Sequence, residues 1–136
     1  MQLTFRHDLA FVTATLTYSG VAIEIPDVLV DTGATSTIVN ADVAADAGVY
    51  ASPMDRLRRL RGVGGYEHVF SRHVDRFAVG SHALDNFELE VGEMDYGVPI
   101  GGILGMDFLR AAGAVIEVSA RSTSARSELS LQESSG

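Results

Sequence analysis

The stretch that decides the fold reads Val28-Leu29-Val30-Asp31-Thr32-Gly33-Ala34-Thr35-Ser36. Three apolar residues run straight into a carboxylate, and a small turn follows. A buried strand ending on Asp31 holds that carboxylate at the rim of a core, half out of water. Gly33 lets the backbone turn tightly, because it lacks the Cβ that closes most of φ/ψ space. Thr32, Thr35 and Ser36 set hydroxyls around the acid, able to donate hydrogen bonds to it or to neighbouring backbone. An Asp-Gly turn with a surface acid is common in loops. The apolar run before this one and the Ala-Thr-Ser after it set it apart.

Working outward, Val12, Ala14, Leu16 and Tyr18 alternate with Thr13, Thr15 and Thr17, the period-two pattern of a half-buried strand. Ser19-Gly20 is a two-residue turn, and Val21, Ile23 and Ile25 resume the alternation, which predicts a hairpin. Pro26 ends that strand or sits at an edge. Residues 27–31 form the next strand, apolar enough to be buried on both sides. After a short strand at 37–39, Asn40 reads as the N-cap of a helix over 41–47, with Gly48 just past its end. Gly62, Gly64 and Gly65, flanked by extended-looking sequence, predict a flexible hairpin tip. His68 leads into a long strand to Val79, with Val74, Phe77 and Ala78 inward. Phe87, Leu89 and Val91 mark another strand, and 94–102 a glycine-rich loop. Ile103-Leu104-Gly105-Met106-Asp107-Phe108-Leu109 is the second landmark. Its apolar pair re-enters the core, Gly105 allows close backbone approach, and Phe108, Leu109 and Ala112 face inward on a short helix ending at Gly113. A strand over 114–118 follows.

The chain has 136 residues, enough for one domain with a real core. It is 46% apolar and 21% charged, as in ordinary soluble globular proteins. It has no cysteine, hence no disulfide framework, thiolate nucleophile or Cys-based metal site. All ten basic residues are Arg, which removes Schiff-base and Ser-Lys chemistry. A net charge of -8 is the wrong sign for bulk nucleic-acid binding. Six Arg fall between Arg56 and Arg76; a solvated face is the ordinary reading of Arg56, Arg58, Arg59 and Arg61. His7, His68, His73 and His82 show no zinc-ligand spacing, so no metal or cofactor is expected. No apolar run is long enough to span a bilayer, and the N-terminus shows no signal-peptide pattern. These features point to a bacterial, cytoplasmic or cytoplasm-facing protein, with no membrane insertion, whole or cut from a longer or membrane-anchored parent.

The two landmarks, in this order and in a chain of this size, resemble the retropepsin-like aspartic proteases. Their active-site motif is hydrophobic-hydrophobic-Asp-Thr/Ser-Gly-Ala/Ser, and the Ala after the Gly is closer to the retroviral branch than to the pepsin branch. The resemblance implies a mostly-β fold, a closed barrel-like retropepsin subunit with one or two short helices, over residues 1–118. Residues 119–136 are then a C-terminal extension, with 128–132 a candidate strand and a disordered end.

The resemblance also implies the chemistry: an aspartic endopeptidase acting on peptide or protein substrates. Two carboxylates at short range cannot both ionise, so one takes a proton from water while the other donates to the scissile carbonyl; the aspartic protease dyad is the known case. This chain has one Asp-Thr-Gly and no second, so the partner carboxylate must be Asp31 of a second copy, in a C2 homodimer. Asp31, Thr32 and Gly33 are the catalytic residues by resemblance. Thr32 would bond across the dyad and Gly33 shape the floor. Gly62, Val63, Gly64, Gly65 and Tyr66 would form a flap over the substrate. Ala34, Val98 and Ile100 would line it, and Thr35, Gly105 and Asp107 would support the site. Viral subunits pair an acid shortly after the motif with an Arg directly after the late Gly. Here those places hold Thr35-Ser36 and Met106. Asp107 is therefore expected to bond a hydroxyl or backbone amide near the Asp31 loop instead. Viral subunits also dimerise through terminal strands, a role open to 114–118 unless the tail rearranges it.

Other readings fit less well. Strand-Asp-x-Gly-x-Thr resembles the first phosphate loop of the actin/sugar-kinase fold, which needs two α/β lobes and far more chain. An Asp-nucleophile phosphotransferase wants a second Asp where Gly33 stands. The alternative that remains is a non-catalytic retropepsin-like domain for dimerisation or peptide binding.

Overall fold

The computed structural model describes residues 2–6, 8–53, 55, 57–62, 65–93, 99–117 and 126–131. In chain order the strands and helices are β1 (Gln2–Arg6), β2 (Leu9–Tyr18), β3 (Val21–Val30), β4 (Ile38–Asn40), α1 (Ala41–Asp46), β5 (Leu57–Gly62), β6 (Gly65–Val79), β7 (His82–Gly92), β8 (Gly102–Leu104), α2 (Met106–Ala112), β9 (Ala114–Glu117) and β10 (Arg126–Leu131).

Alternation writes the first hairpin. Val12, Ala14 and Leu16 are buried and Thr13 is exposed, so one face of β2 enters the core. Ser19 takes a φ of 49° and Gly20 a φ of 80°, the mirror-image turn whose twist matches its flanking strands. β3 then departs from the expected break at Pro26. It runs on as one strand, with a bulge: Val12 pairs with Val28 and Ala14 with Ile25, leaving Pro26 and Asp27 opposite Thr13. Proline is tolerated at a bulge because no ladder donor is needed there. Asp27 has a φ of 57°, and its carboxylate accepts from Arg6 Nη2 at 2.9 Å.

The bulge changes which residues face inward. Ile23 and Ile25 pack on the main core before it, and Val28 and Val30 after it. Leu29 therefore points the other way, into a second cluster with Phe11, Ile100 and Ile103. An unbulged strand would have kept the odd-numbered residues on the core side.

β2, β3, β8, β4, β7 and β6 lie edge to edge, and β6 returns to β2 from Ala14↔Val79 to Thr17↔Arg76. The sheet thus closes as a ring. It is no plain barrel: β5 extends it beyond β6, and β1, β10 and β9 extend it beyond β2. Mostly strand, with two short helices, the fold class is the expected one.

Phe77 and Phe108 are fully buried, with Phe87 beside them at centroid spacings of 5.6 to 5.8 Å. Each fully buried ring contributes about 2–3 kcal/mol by area. This cluster seats α2, whose Phe108, Leu109 and Ala112 are all buried. At α1, Asn40 Oδ1 accepts from Asp42 N at 2.9 Å, the predicted cap. Along β6 the inward set shifts. Val74 is buried, then Phe77 and Val79, while Ala78 is half-buried. The β6–β7 pairing skips Asp75 and Asn86 there, and Asn86 takes a φ of 50°. Among the described residues no helix is long and apolar enough to cross a membrane.

Candidate active site

The two sequence landmarks meet because β3 and β8 run parallel. Val28 pairs with Gly102, Leu29 with Ile103 and Val30 with Leu104. Both strands therefore end at the same edge of the ring, and the loops that follow, one from Asp31 and one from Gly105, leave side by side. Asp31 N donates to Leu104 O at 3.1 Å, Met106 N to Ala34 O at 2.8 Å, and Asp107 N to Thr35 O at 3.2 Å.

Asp31 is half-buried at this edge. Its Oδ1 accepts from Gly33 N at 2.9 Å and its backbone carbonyl from Ala34 N at 3.1 Å. The loop folds back on its own acid and holds one carboxylate oxygen in place. A Cβ on Gly33 would stand 3.2 Å from that oxygen, so glycine is what lets the backbone come this close. Thr32 and Gly33 are exposed, and Ala34 is half-buried against the second cluster.

Asp107 turns its carboxylate to Thr37, the first residue after the loop. Oδ2 accepts from Thr37 N at 3.1 Å and Oδ1 from Thr37 Oγ1 at 2.7 Å. The same hydroxyl accepts from Gly105 N at 3.1 Å. Thr37 is fully buried, and its side chain ties the Asp31 loop, β4 and the start of α2 into one knot. Gly105 lies so close to Ser36 that a Cβ would fall 2.5 Å from the Ser36 carbonyl carbon and oxygen. Thr37 was missing from the expected site residues. Its signal was faint: a hydroxyl six positions after the Asp, at the head of an apolar strand.

Of the remaining expected residues, Gly62 and Gly65 pair at the end of the β5–β6 hairpin, with Arg61 opposite Tyr66. Val63, Gly64 and Val98 lie outside the described residues, as does the side chain of Tyr66. Ile100 packs with Phe11, Leu29 and Ile103. Thr35 is exposed, its carbonyl engaged by Asp107 N.

A second residue absent from the expectations is Arg72. It stands between Phe70 and Val74 on the inward side of β6, an unusual place for a guanidinium. Nη1 donates to Tyr18 Oη at 3.1 Å, and Nη2 to Tyr50 O at 3.0 Å and Asp55 Oδ2 at 2.7 Å. Burial by itself pushes this group down. The hydrogen bonds to Tyr18 and Asp55, with the Asp55 charge, outweigh that and hold it above its ordinary value. The period-two run Phe70-x-Arg72-x-Val74 was the available signal.

Two comparisons bear on this geometry. The fold is similar to the crystal structure of a retropepsin-like aspartic protease from Rickettsia conorii, with a TM-score of 0.65 at 16% identity, over 93% of this chain and 95% of that one. No curated protein matches the sequence. Residues 14–108 match the sequence model of the family described as Aspartyl protease. Since that match runs from the middle of β2, through the Asp31 loop, to the first turn of α2, the chain belongs to the aspartyl protease family.

Proposed function

We propose that the chain is an aspartic endopeptidase that works as a C2 homodimer, hydrolysing peptide bonds with a water held between two Asp31 carboxylates. The observation that carries this reading is the pinned Asp31 at the shared end of β3 and β8. One acid per chain is half of the required machinery, and a two-fold axis beside the loop supplies the other half. Two carboxylates brought together share one proton, which gives a base for the water and an acid for the scissile carbonyl in one constellation. Thr32, exposed beside Asp31, would bond across the axis. An extended substrate would lie between this floor, with Ala34 along it, and the β5–β6 hairpin.

The test is cleavage of a diverse peptide library by wild type and Asp31→Asn, read by mass spectrometry from acid to neutral pH, with solution mass measured alongside. We expect cleavage that rises with the dimer fraction and falls at least ~100-fold in Asp31→Asn. Equal cleavage by the two proteins would assign the activity elsewhere and end this reading. A stable wild-type dimer that cleaves nothing would favour the binding-domain alternative.

A further inference from the structure

Among the described residues, the outer part of the β5–β6 hairpin makes no strand pairing with the ring. β6 pairs with β7 only from Val69 onward, opposite Gly92. Residues 65–68 pair with β5 alone among the described residues, and β5 is the last strand on that side of the sheet. An isolated two-stranded ribbon is marginally stable. Its direction must be set at its root, where Leu57 pairs with Phe70.

Arg72 stands at that root, two residues beyond Phe70 on the same face. Its guanidinium carbon lies 5.5 Å from the Phe70 ring centroid and 5.9 Å from that of Tyr18. Through Asp55 and the Tyr50 carbonyl it grips the loop that feeds β5, and through Tyr18 it grips the end of β2. Asp55 is itself braced: its Oδ2 accepts from Ser52 N, and its N donates to Ser52 O. The Arg72 and Asp55 side chains are only 19% and 13% exposed, so this pair is largely shielded from water and salt. A planar fork that meets three acceptors fixes direction in a way a single point charge does not.

We propose that Arg72 is a positioning residue: with Asp55 it locks the root of the β5–β6 arm to the ring and so sets the direction in which the arm extends, which on the protease reading is over the Asp31 edge. The proposal rests on the protease reading for its effect on substrate, and on geometry alone for its effect on the arm. The arm extends about five residues past its root, or ~16 Å at ~3.3 Å per residue. A tilt of about 10° at the root moves its end by ~3 Å, enough to lose the contacts that hold a substrate. The chemistry at Asp31, on the other side of the substrate, is left intact.

The experiment compares wild type with Asp55→Asn, which keeps size and removes the charge, and with Arg72→Gln should the first variant not fold. Hydrogen exchange is followed by mass spectrometry, and peptide cleavage by kcat and KM. We expect the amides of 57–62 and 65–68 to exchange about tenfold faster or more, with β2, β3 and β7 keeping their protection. KM should rise about tenfold with kcat within twofold. Unchanged exchange in the arm would overturn the proposal. So would an equal loss of protection throughout the ring, which would mark the pair as general ballast. A fall in kcat at constant KM would overturn the positioning role. Should a stable wild-type dimer cleave nothing, the protease reading fails on its own terms, and the exchange result still decides whether Arg72 fixes the arm.

Discussion

Removing one hydroxyl at Thr37 tests whether the knot behind Asp31 is held by hydrogen bonds or by packing. In Thr37→Val the shape is kept and Oγ1 is lost. Asp107 Oδ1 loses the 2.7 Å hydrogen bond donated by the Thr37 hydroxyl, a bond to a charged group worth about 1.5–3 kcal/mol. Gly105 N, buried, loses its acceptor, at a further cost of about 1–3 kcal/mol. The added methyl returns about 0.8 kcal/mol. The expected net loss is about 2–5 kcal/mol. Thr37→Ser makes the opposite change. It keeps every hydrogen bond and gives up one methyl in a fully buried position, for about 1 kcal/mol. Urea unfolding of the three proteins at neutral pH gives the values directly. Valine should be the worse substitution by at least ~1 kcal/mol. The reverse order, or a Thr37→Val loss near zero, would show that the hydroxyl is not what joins the Asp31 loop to α2.

Two glycine substitutions separate support from chemistry. Gly105→Ala drives a Cβ to 2.5 Å from the Ser36 backbone, which has no flexible end to move aside; a loss of about 3 kcal/mol or more is expected in urea unfolding, and a loss under ~1 kcal/mol would mean that the loops separate freely. Gly33→Ala meets only the Asp31 carboxylate, at 3.2 Å, so stability should fall by less than ~1 kcal/mol while peptide cleavage drops tenfold or more; equal cleavage at equal stability would show that the carboxylate position is not critical.

What the sequence disclosed and what it withheld divide along one physical line. The Asp31 loop, the Asn40 cap and the α2 face were legible because each is written in adjacent residues: a turn-former, a capping side chain, a helical period. That Asp31 and Gly105 stand side by side came from the family resemblance and not from any local pattern, because it depends on β3 and β8 pairing in parallel across a long stretch of chain. Arg72 was hidden in a different way. Its place in the alternation marked it as inward, but its partners Tyr18, Tyr50 and Asp55 come from two other segments.

The bulge at Pro26-Asp27 is the instructive case. Read as a strand break, it leaves the face of the next strand undetermined. As built, it is one residue of slip, accepted because Asp tolerates a left-handed φ better than most residues. That slip hands Val28 and Val30 to the main core and turns Leu29 to the second cluster. Carried one step past the strand end, the same alternation would set Asp31 on the side of Leu29, away from the main core. The carboxylate is thereby anchored by a fully packed strand yet kept half exposed at the ring edge. Without the slip, the apolar run that identifies the motif would draw its acid toward the interior, where an unpaired charge is costly. The bulge, four residues before Asp31, is thus as much a condition of the site as the turn that follows it.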